Sequence, residues 1–176
     1  MEGLKNIPQK TNFIIVANHS SFLDPLIVQA AVPKKIHCLV LKMLYRNFAL
    51  RWFLKMEETF TIGSSSRKAV YYLKNNKIIG LFPEGGRSFD GKLREFKRGA
   101  ALLALKTGRP IVPCAILGAR EALPRGAKFI KLHPIKVKIG KPIYLLKEFD
   151  EVIDDIYLQE GMFKARNSIQ DMLNAG

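Results

Sequence analysis

The chain has 176 residues, of which 48% are hydrophobic and 25% are charged; this composition fits one folded domain with a well-filled core and argues against disorder. The formal net charge of +14 predicts attraction to anions, and charge alone leaves phosphorylated metabolites, nucleic acid and acidic lipid headgroups open. No apolar run approaches the roughly 18 residues of a membrane-spanning helix, and residues 1–10 lack the basic-then-apolar order of a signal peptide.

The cysteines and histidines predict no metal site and no cofactor. Cys38 and Cys114 lie in apolar, strand-like runs, far apart and without the paired spacing of a zinc site or a disulfide framework. We therefore expect two buried thiols in a reducing compartment. The histidines, His19, His37 and His133, have no cysteine nearby and form no HxxxH or HExxH pair.

In the first half of the chain, short apolar runs alternate with helical patterns. FIIVA (13–17) is typical of a strand covered on both faces. Asp24 followed by Pro25 predicts a helix start, with Asp suited to the cap and Pro to the first turn. IHCLV (36–40) and TFTI (59–62) are the next candidate strands, and a serine-capped helix is predicted on GSSSRKAVYYLKNN.

The second half continues the alternation. KIIGLF (77–82) predicts a strand that runs into the loop FPEGGRS, and KRGAALLALKTG predicts a helix ending at Gly108. PIVPCAI (110–116) is another buried strand, whereas IKVKIG (135–140) alternates apolar with basic residues, as an edge strand with one wet face does.

The tail from Asp150 to Leu173 predicts an amphipathic helix. Its expected inner stripe consists of Val152, Ile153, Ile156, Phe163, Ile169 and Leu173. The alternating order of strands and helices predicts a single α/β domain with a mainly parallel sheet flanked by helices. Ligands bind beyond the carboxyl ends of the strands in such sheets, and both NHSSFLD and FPEGGRS follow a predicted strand.

Residues 39–56 (LVLKMLYRNFALRWFLKM) form a hydrophobic segment that contains four basic side chains. On a helical wheel Lys42 and Arg46 fall together, while Arg51 and Lys55 fall roughly opposite, so the segment is not one clean amphipathic helix. Three interpretations stay open. The segment breaks midway, or it contacts a membrane interface with long basic side chains reaching outward, or it is a core helix with basic ends.

NHSSFLD places His19 five positions before Asp24. On a continuous helix this step leaves the two side chains about 140° apart, so they can meet only across a bend. A carboxylate bonded to one ring nitrogen would fix the tautomer and leave the other nitrogen as a general base. No GxSxG elbow is present, and Ser20 and Ser21 lie too close to His19, so the base would act on a hydroxyl of a bound acceptor. In the alternative, Asp24 caps a helix and His19 is a polar loop residue.

FPEGGRS carries the ingredients of a phosphate site. A guanidinium (Arg87), a hydroxyl (Ser88) and backbone N–H groups around Gly85 stand together. Lys97 adds positive charge at the start of the next helix. Glu84 suits such a site only if it binds ligand hydroxyls or anchors the guanidinium. The alternative is a tight turn held by a Glu to Arg bridge.

Together the two stretches resemble the motifs of a known family. NHSSFLD resembles the NHxxxxD motif, and FPEGGRS the FPEGTRS motif, of the glycerolipid acyltransferases typified by 1-acylglycerol-3-phosphate acyltransferase. EGLKNIP (2–8) resembles the strand before the first motif, FKRGAALLA (96–104) the helix after the third, and IVPCAI (111–116) the fourth motif with its proline, Pro113. The order and spacing agree along most of the chain.

The resemblance implies a glycerol-3-phosphate acyltransferase-like domain over residues 1–176. It implies that His19 is the general base for an acceptor hydroxyl that attacks an acyl thioester, with Asp24 orienting it. It also implies that Glu84, Gly85 and Arg87 bind the glycerol phosphate.

The expected donor is acyl-CoA or acyl carrier protein, and the expected acceptor is a lysophospholipid, foremost 1-acyl-sn-glycerol-3-phosphate, which gives phosphatidic acid without an acyl-enzyme. Glycerol 3-phosphate or another lysolipid is the alternative acceptor. We expect a peripheral enzyme at the cytoplasmic face of an anionic membrane and no nucleic-acid partner.

The second family motif departs from the pattern. Where the family usually carries an arginine after a short strand, this chain has Gly63, and the nearest cation is Arg67. Either Arg67 takes over phosphate binding, helped by Ser64 to Ser66, or the acceptor differs from simple lysophosphatidic acid. The chain also begins close to its first strand, without the N-terminal helices that often anchor family members; we expect a trimmed form or membrane contact through 39–56.

Two rival functions stay open. A module that binds acidic lipid or nucleic acid would account for the charge, but it leaves the His to Asp spacing unexplained, and the basic residues are not interleaved with aromatics as a base-stacking surface requires. A thioester hydrolase would use the same base to activate water.

Overall fold

The computed structural model describes residues 1–40, 60–61, 65–127, 129–145 and 155–175. Within these ranges six strands form one sheet: β1 (Ile14–Ala17), β2 (Ile36–Val40), β3 (Phe60–Thr61), β4 (Ile78–Leu81), β5 (Ile111–Leu117) and β6 (Lys136–Ile139). Their order is β3-β2-β4-β1-β5-β6. The first five are parallel, and β6 pairs antiparallel with β5 at one edge. The predicted mainly parallel α/β sheet and the predicted edge position of β6 are therefore confirmed. The wet face predicted for β6 is wrong, because Lys138 is buried and its ammonium group donates to the carbonyl of Met172.

Five α-helices belong to the same part of the chain: α1 (Asp24–Ala31), α2 (Ser65–Lys74), α3 (Gly99–Thr107), α4 (Ala119–Ala122) and α5 (Asp155–Asn174). α3 ends where the sequence predicts, because Gly108 has a φ of 65° and its N–H bonds to the carbonyl of Ala104. None of the described helices combines the length and the apolar character needed to cross a bilayer.

The sheet separates two hydrophobic cores. Side chains alternate along β1: Ile15 and Ala17 face a core shared with α1, while Ile14 and Val16 face a core shared with α2, α3 and α5. Both faces are therefore covered, which explains why β1 is a continuous apolar run without a polar alternation. Cys38 and Cys114 are buried in β2 and β5, as predicted.

Two further details of the predicted elements are wrong. EGLKNIP does not form a strand: residues Leu4–Asn6 are a short 3-10 helix, and only Glu2 bridges to the sheet. In α5, Ile169 is buried, but Ile156 and Phe163 are 72% and 60% exposed. The helix instead buries a stripe that includes small residues, because these allow close approach to the sheet; the stripe is Leu158, Gly161, Met162, Ala165 and Ile169.

Several predicted features lie outside the described residues. In the segment 39–56 only the first two residues, at the end of β2, are described. Gly63 and Ser64 in the second motif, and residues 150–154 of the predicted tail helix, are likewise outside.

Candidate active site

The two motif loops leave the sheet side by side. β1 and β4 are parallel neighbours, with Val16 opposite Leu81, so the loops that follow them start at the same edge. The backbone N–H of Ser88 donates a 2.8 Å hydrogen bond to the carbonyl of His19, which ties one loop directly to the other. The predicted juxtaposition of NHSSFLD and FPEGGRS is thus present in the structure.

His19 and Asp24 meet across a bend, as the spacing requires. The Nδ1 atom of His19 lies 2.8 Å from Oδ2 of Asp24, whose side chain is fully buried. The same carboxylate oxygen accepts the backbone N–H groups of Ser20, at 2.7 Å, and Ser21, at 2.8 Å. These bonds turn the carboxylate back toward the loop, and α1 has no side-chain cap. The alternative in which Asp24 is only a helix cap is therefore excluded.

Two contacts orient the imidazole of His19: one with Asp24 and one with Phe82. Because an ionised carboxylate only accepts hydrogen bonds, Nδ1 carries the proton and Nε2 is the basic nitrogen of the neutral ring. The ring stacks on Phe82 with centroids 4.4 Å apart and remains 19% exposed. This is the arrangement of a positioned general base with one nitrogen open to a ligand.

Asn18 fixes the start of this loop against the neighbouring strand. Its Nδ2 donates to the carbonyl of Ile116 at 2.9 Å, and its Oδ1 accepts the N–H of the same residue at 2.7 Å. The buried amide therefore continues the pairing between β1 and β5 for one further residue. Pro113 lies within β5, opposite Val16 and buried, so it shapes the sheet beneath the site.

Glu84 is a buried support of the histidine loop. Its Oε1 accepts the backbone N–H of His19 at 2.7 Å, and its Oε2 accepts the N–H of Arg94 at 3.1 Å. Burial raises the pKa of this carboxyl, and the two N–H donors partly oppose the rise. The alternative of a Glu to Arg bridge is not realised, because Glu84 forms no ion pair with Arg87 and bonds to backbone N–H groups instead. Each oxygen still has a free lone pair, so the contact of Glu84 with ligand hydroxyls stays a prediction.

Ser88 also has an internal role. Its hydroxyl donates to Asp90 and accepts the N–H of Gly91, each at 3.0 Å, and the residue is buried. The hydroxyl therefore shapes the turn at residues 88–91, and the ligand contact expected of it stays a prediction.

Gly85 lets the loop backbone approach the side chain of Lys97 closely. Its φ is 72°, and a Cβ atom there would lie 2.7 Å from the Nζ of Lys97, so any side chain would be strained and would displace that ammonium group. The backbone of the loop and the cation before α3 are thus adjacent, as predicted. At Gly86, by contrast, an added Cβ would meet only Nη1 of Arg94, at 3.7 Å.

Arg87 presents the clearest anion-binding group among the described residues. Its guanidinium lies over the ring of Phe22, 3.5 Å from the centroid, and its buried Nη1 has no hydrogen-bond partner in the part of the chain that is described. Burial lowers the pKa of Arg87, and the nearby positive charge of Arg125 lowers it further. A buried donor without a partner, close to a second guanidinium, fits a bound phosphate or carboxylate.

Arg125 lies close to Arg87 beside the candidate site, and the sequence did not single it out. It stands second in a turn closed by the N–H of Ala127 and the carbonyl of Pro124, and its guanidinium lies 3.8 Å from the ring centroid of Phe89. Ser21 holds this turn against the histidine loop by donating to the carbonyl of Leu123 at 3.0 Å. The pattern Pro-Arg-Gly after the fourth motif was the available signal.

A cavity of about 550 Å³ lies between α2 and α3 at the end of β4. Its apolar lining is Ala69, Val70, Leu81, Phe82, Pro83, Ala100, Leu102 and Leu103, and the exposed cations Arg67, Lys97 and Lys106 border it. Phe82 belongs both to this lining and to the histidine stack. The structure thus brings Arg67 and Lys97 to the same cavity, which adjoins His19 through Phe82.

No cluster of three or more metal-ligating side chains occurs among the residues that are described. The chemistry that this arrangement supports is proton transfer by an imidazole, next to a cationic subsite and an apolar cavity.

Comparisons with known proteins agree with this picture. A family model described as Acyltransferase matches residues 1–117. A chloroplastic 1-acyl-sn-glycerol-3-phosphate acyltransferase of Brassica napus is 29% identical over 99% of this chain and 50% of its own length. The corresponding acyltransferase of Borreliella burgdorferi is 32% identical over 76% of this chain and 59% of its own. The chain thus spans about half the length of these curated relatives.

Among solved structures, the crystal structure of the 1-acyl-sn-glycerophosphate (LPA) acyltransferase PlsC from Thermotoga maritima is similar, with a TM-score of 0.79 and 27% identity. The match covers 98% of this chain and 70% of that one.

Proposed function

Because this chain belongs to the Acyltransferase family, we propose that it transfers a fatty acyl group from a thioester to the hydroxyl of a lysophospholipid, foremost 1-acyl-sn-glycerol-3-phosphate. The product is then phosphatidic acid. The observation that carries the proposal is the 2.8 Å contact between His19 Nδ1 and the buried Asp24 carboxylate, with the ring open beside the cavity. The names of the similar proteins support this choice of acceptor.

The reaction is a direct transfer. Nε2 of His19 takes the proton of the acceptor hydroxyl while the oxygen attacks the thioester carbonyl. Asp24 stabilises the resulting imidazolium through Nδ1. The tetrahedral intermediate then collapses, the bond from carbon to sulfur breaks, and the imidazolium returns its proton to the departing thiolate. No acyl-enzyme forms, and no cofactor takes part.

The acceptor phosphate binds at Arg87 and Arg125. The buried Nη1 of Arg87 lacks a partner among the described residues, and a dianionic phosphate would relieve the repulsion between the two guanidinium groups. Lys97, beside Gly85, adds a third cation. Glu84 and Ser88 are positioning residues in this proposal, because their side-chain oxygens are bonded within the protein.

The cavity between α2 and α3 accommodates the acyl chain. Its apolar lining suits a hydrocarbon, and Phe82 links it to the histidine. Arg67 at its border would face the phosphates of a donor such as acyl-CoA or acyl carrier protein, or those of the acceptor. The lipid acceptor and the charge of +14 together favour a peripheral enzyme on the cytoplasmic face of an anionic membrane.

The test is an assay of the purified chain with acyl-CoA and acyl carrier protein as donors, against a panel of lysophospholipids and glycerol 3-phosphate. Products are identified by mass spectrometry. We expect thiol release that depends on the acceptor, and a loss of about 10² to 10⁴-fold in kcat for His19→Ala, the range of general acid-base catalysis.

Lys74→Ala is the control, because Lys74 is exposed and lies outside the two motif loops and the cavity lining. Its transfer rate should equal that of the wild type. Thiol release that does not rise with any acceptor would instead identify a thioester hydrolase, and an active His19→Ala variant would exclude this histidine as the base.

A further inference from the structure

The connection between α4 and β6 displays an apolar surface. Within residues 129–135, which we term the 129–135 loop, Phe129 is 82% exposed and Leu132 is fully exposed, and Ile130 and Ile135 are also exposed. Four large apolar side chains within seven residues are unusual on a surface that faces only water. Because these side chains are exposed, packing in the core does not explain why they are apolar.

The backbone of the 129–135 loop is held against the rest of the protein at two points. The N–H of Lys131 donates to the carbonyl of Ala122, in α4, at 2.8 Å. A Cβ atom at Gly118 would fall 2.0 Å from the Pro134 carbonyl oxygen, which shows how closely the loop packs on the end of β5. The apolar side chains thus project from a defined backbone.

The sequence on either side of this loop carries charge of one sign, although Lys136 pairs with Glu2 and Lys138 is buried. From residue 122 to residue 147 the sequence contains no Asp and no Glu, but it contains seven basic residues: Arg125, Lys128, Lys131, Lys136, Lys138, Lys141 and Lys147. Apolar side chains that alternate with basic ones match the boundary between anionic headgroups and acyl chains, where both kinds of contact are satisfied at once.

The loop is also connected to the catalytic end of the sheet. The turn that leads into it carries Arg125, which stacks on the exposed ring of Phe89, and its Leu123 carbonyl accepts the hydroxyl of Ser21. Phe22, which is exposed beneath Arg87, continues this surface on the histidine loop. A contact made by the 129–135 loop would therefore lie beside the subsite for the acceptor phosphate.

We propose that the 129–135 loop docks this protein on an anionic lipid bilayer, with Phe129, Ile130 and Leu132 entering the acyl-chain boundary and Lys131 facing headgroup phosphates. This inference rests on the proposed function, because a lipid acceptor has to reach His19 from a membrane. It adds a defined contact surface to the 39–56 segment considered from sequence.

A comparison within the molecule favours a bilayer over a protein partner. Ile156 and Phe163 on α5 are exposed too, but acidic residues stand among them, including Asp155 and Glu160, and Glu160 pairs with Lys164. Mixed charge of that kind does not complement an anionic membrane. The α5 pair therefore provides a matched control of similar apolar area and exposure.

The first experiment measures binding of the whole 176-residue chain to vesicles of phosphatidylcholine containing about 30% phosphatidic acid, by flotation. We expect Phe129→Ser/Leu132→Ser to lower the partition coefficient by about tenfold or more. Lys131→Gln should lower it by about fivefold, and the loss should shrink at high salt. Ile156→Ser/Phe163→Ser and Lys74→Gln should bind as the wild type does.

The second experiment locates the contact directly. Phe129→Trp is placed in a Trp52→Phe background, because Trp52 is the one tryptophan in the sequence. Its fluorescence should be quenched by lipids brominated near the top of the acyl chain, whereas Phe163→Trp in the same background should not be. Vesicle-bound protein without quenching at position 129, or full binding by Phe129→Ser/Leu132→Ser, would overturn the proposal.

The outcomes separate the two proposals. If the wild type transfers no acyl group to any acceptor but the loop variants still lose vesicle binding, the proposed reaction fails and the docking surface stands. If the wild type is active and the loop variants bind and act on vesicles unchanged, the docking surface fails. With a monomeric short-chain acceptor in solution, the double loop variant should keep the wild-type kcat.

Discussion

The loop after β1 and the loop after β4 each bury one carboxylate, and the two carboxylates hold different parts of the same histidine. Asp24 contacts the imidazole through Nδ1, whereas Glu84 accepts the backbone N–H of His19. The first carboxylate therefore acts on the proton chemistry of the ring, and the second acts on the position of the residue. The difference teaches that buried acids in one site can have separate chemical and mechanical tasks.

The loops differ on their exposed sides as well. The first presents the open nitrogen of the proposed base, and the second presents Arg87 with a buried donor that lacks a partner among the described residues. A variant of each residue should therefore change a different measured quantity, and four such variants or conditions test the comparison.

Replacing Asp24 with Asn should have the largest effect. The amide no longer stabilises the imidazolium, and its N–H₂ group favours the tautomer with the proton on Nε2, so the open nitrogen ceases to be basic. We expect kcat to fall by about 10²-fold or more, with a smaller change in KM for either substrate. Steady-state kinetics of Asp24→Asn checks this; a loss confined to KM would contradict it.

Arg87→Gln should weaken binding of the acceptor. A charge-assisted contact to phosphate contributes about 1.5 to 3 kcal/mol, so KM for a phosphorylated acceptor should rise by roughly tenfold to a hundredfold. The KM for acyl donor should change little. Arg125→Gln should raise KM for the phosphorylated acceptor by a smaller factor, since Arg125 is exposed. Lys164→Gln should leave this KM unchanged. Equal effects of Arg87→Gln on donor and acceptor would mean that the subsite is misassigned.

Glu84→Gln should act mainly on stability. One of the two backbone N–H groups would then face an amide N–H₂ in place of an oxygen, which costs about 1 to 3 kcal/mol in a buried setting. Urea unfolding should show this loss, whereas Arg87→Gln should unfold close to the wild type. If Glu84→Gln keeps full stability and loses only acceptor affinity, then Glu84 binds ligand after all.

Glu84 should also change how the free energy of unfolding depends on pH, and this effect should be smaller than the preceding ones. Burial raises its pKa above the usual 4.5, so the folded state binds this proton more tightly than the unfolded state. The contribution of Glu84 to the free energy of unfolding is therefore largest below pH 4.5 and falls as pH rises toward the folded pKa. Unfolding curves from pH 4 upward should show the wild type losing stability relative to Glu84→Gln.

Much of the fold could be predicted because burial on both faces leaves a direct trace in the sequence. β1 and β5 are apolar runs without alternation, and Gly108 ends α3 as a C-cap glycine does. The His19 to Asp24 contact was also predictable, since only a bend makes the five-residue spacing meaningful.

Other features depend on contacts that the sequence does not encode locally. The backbone N–H groups that donate to Glu84 belong to His19 and Arg94. These residues are far apart in sequence from each other, and only the folded chain brings them together. Arg125 reaches the site through a turn that Ser21 holds. In α5, ranking residues by hydrophobicity chose Ile156 and Phe163, whereas Gly161 and Ala165 make the close contacts; a Cβ at Gly161 would lie 2.8 Å from Leu145.

The space at Gly86 has a further consequence for the denatured ensemble. Since a methyl group there would make only an ordinary van der Waals contact with Arg94, the glycine supplies backbone freedom that the native loop does not use. The unfolded chain keeps that freedom as entropy, so folding orders this position at a greater entropic cost than a residue with a side chain would impose.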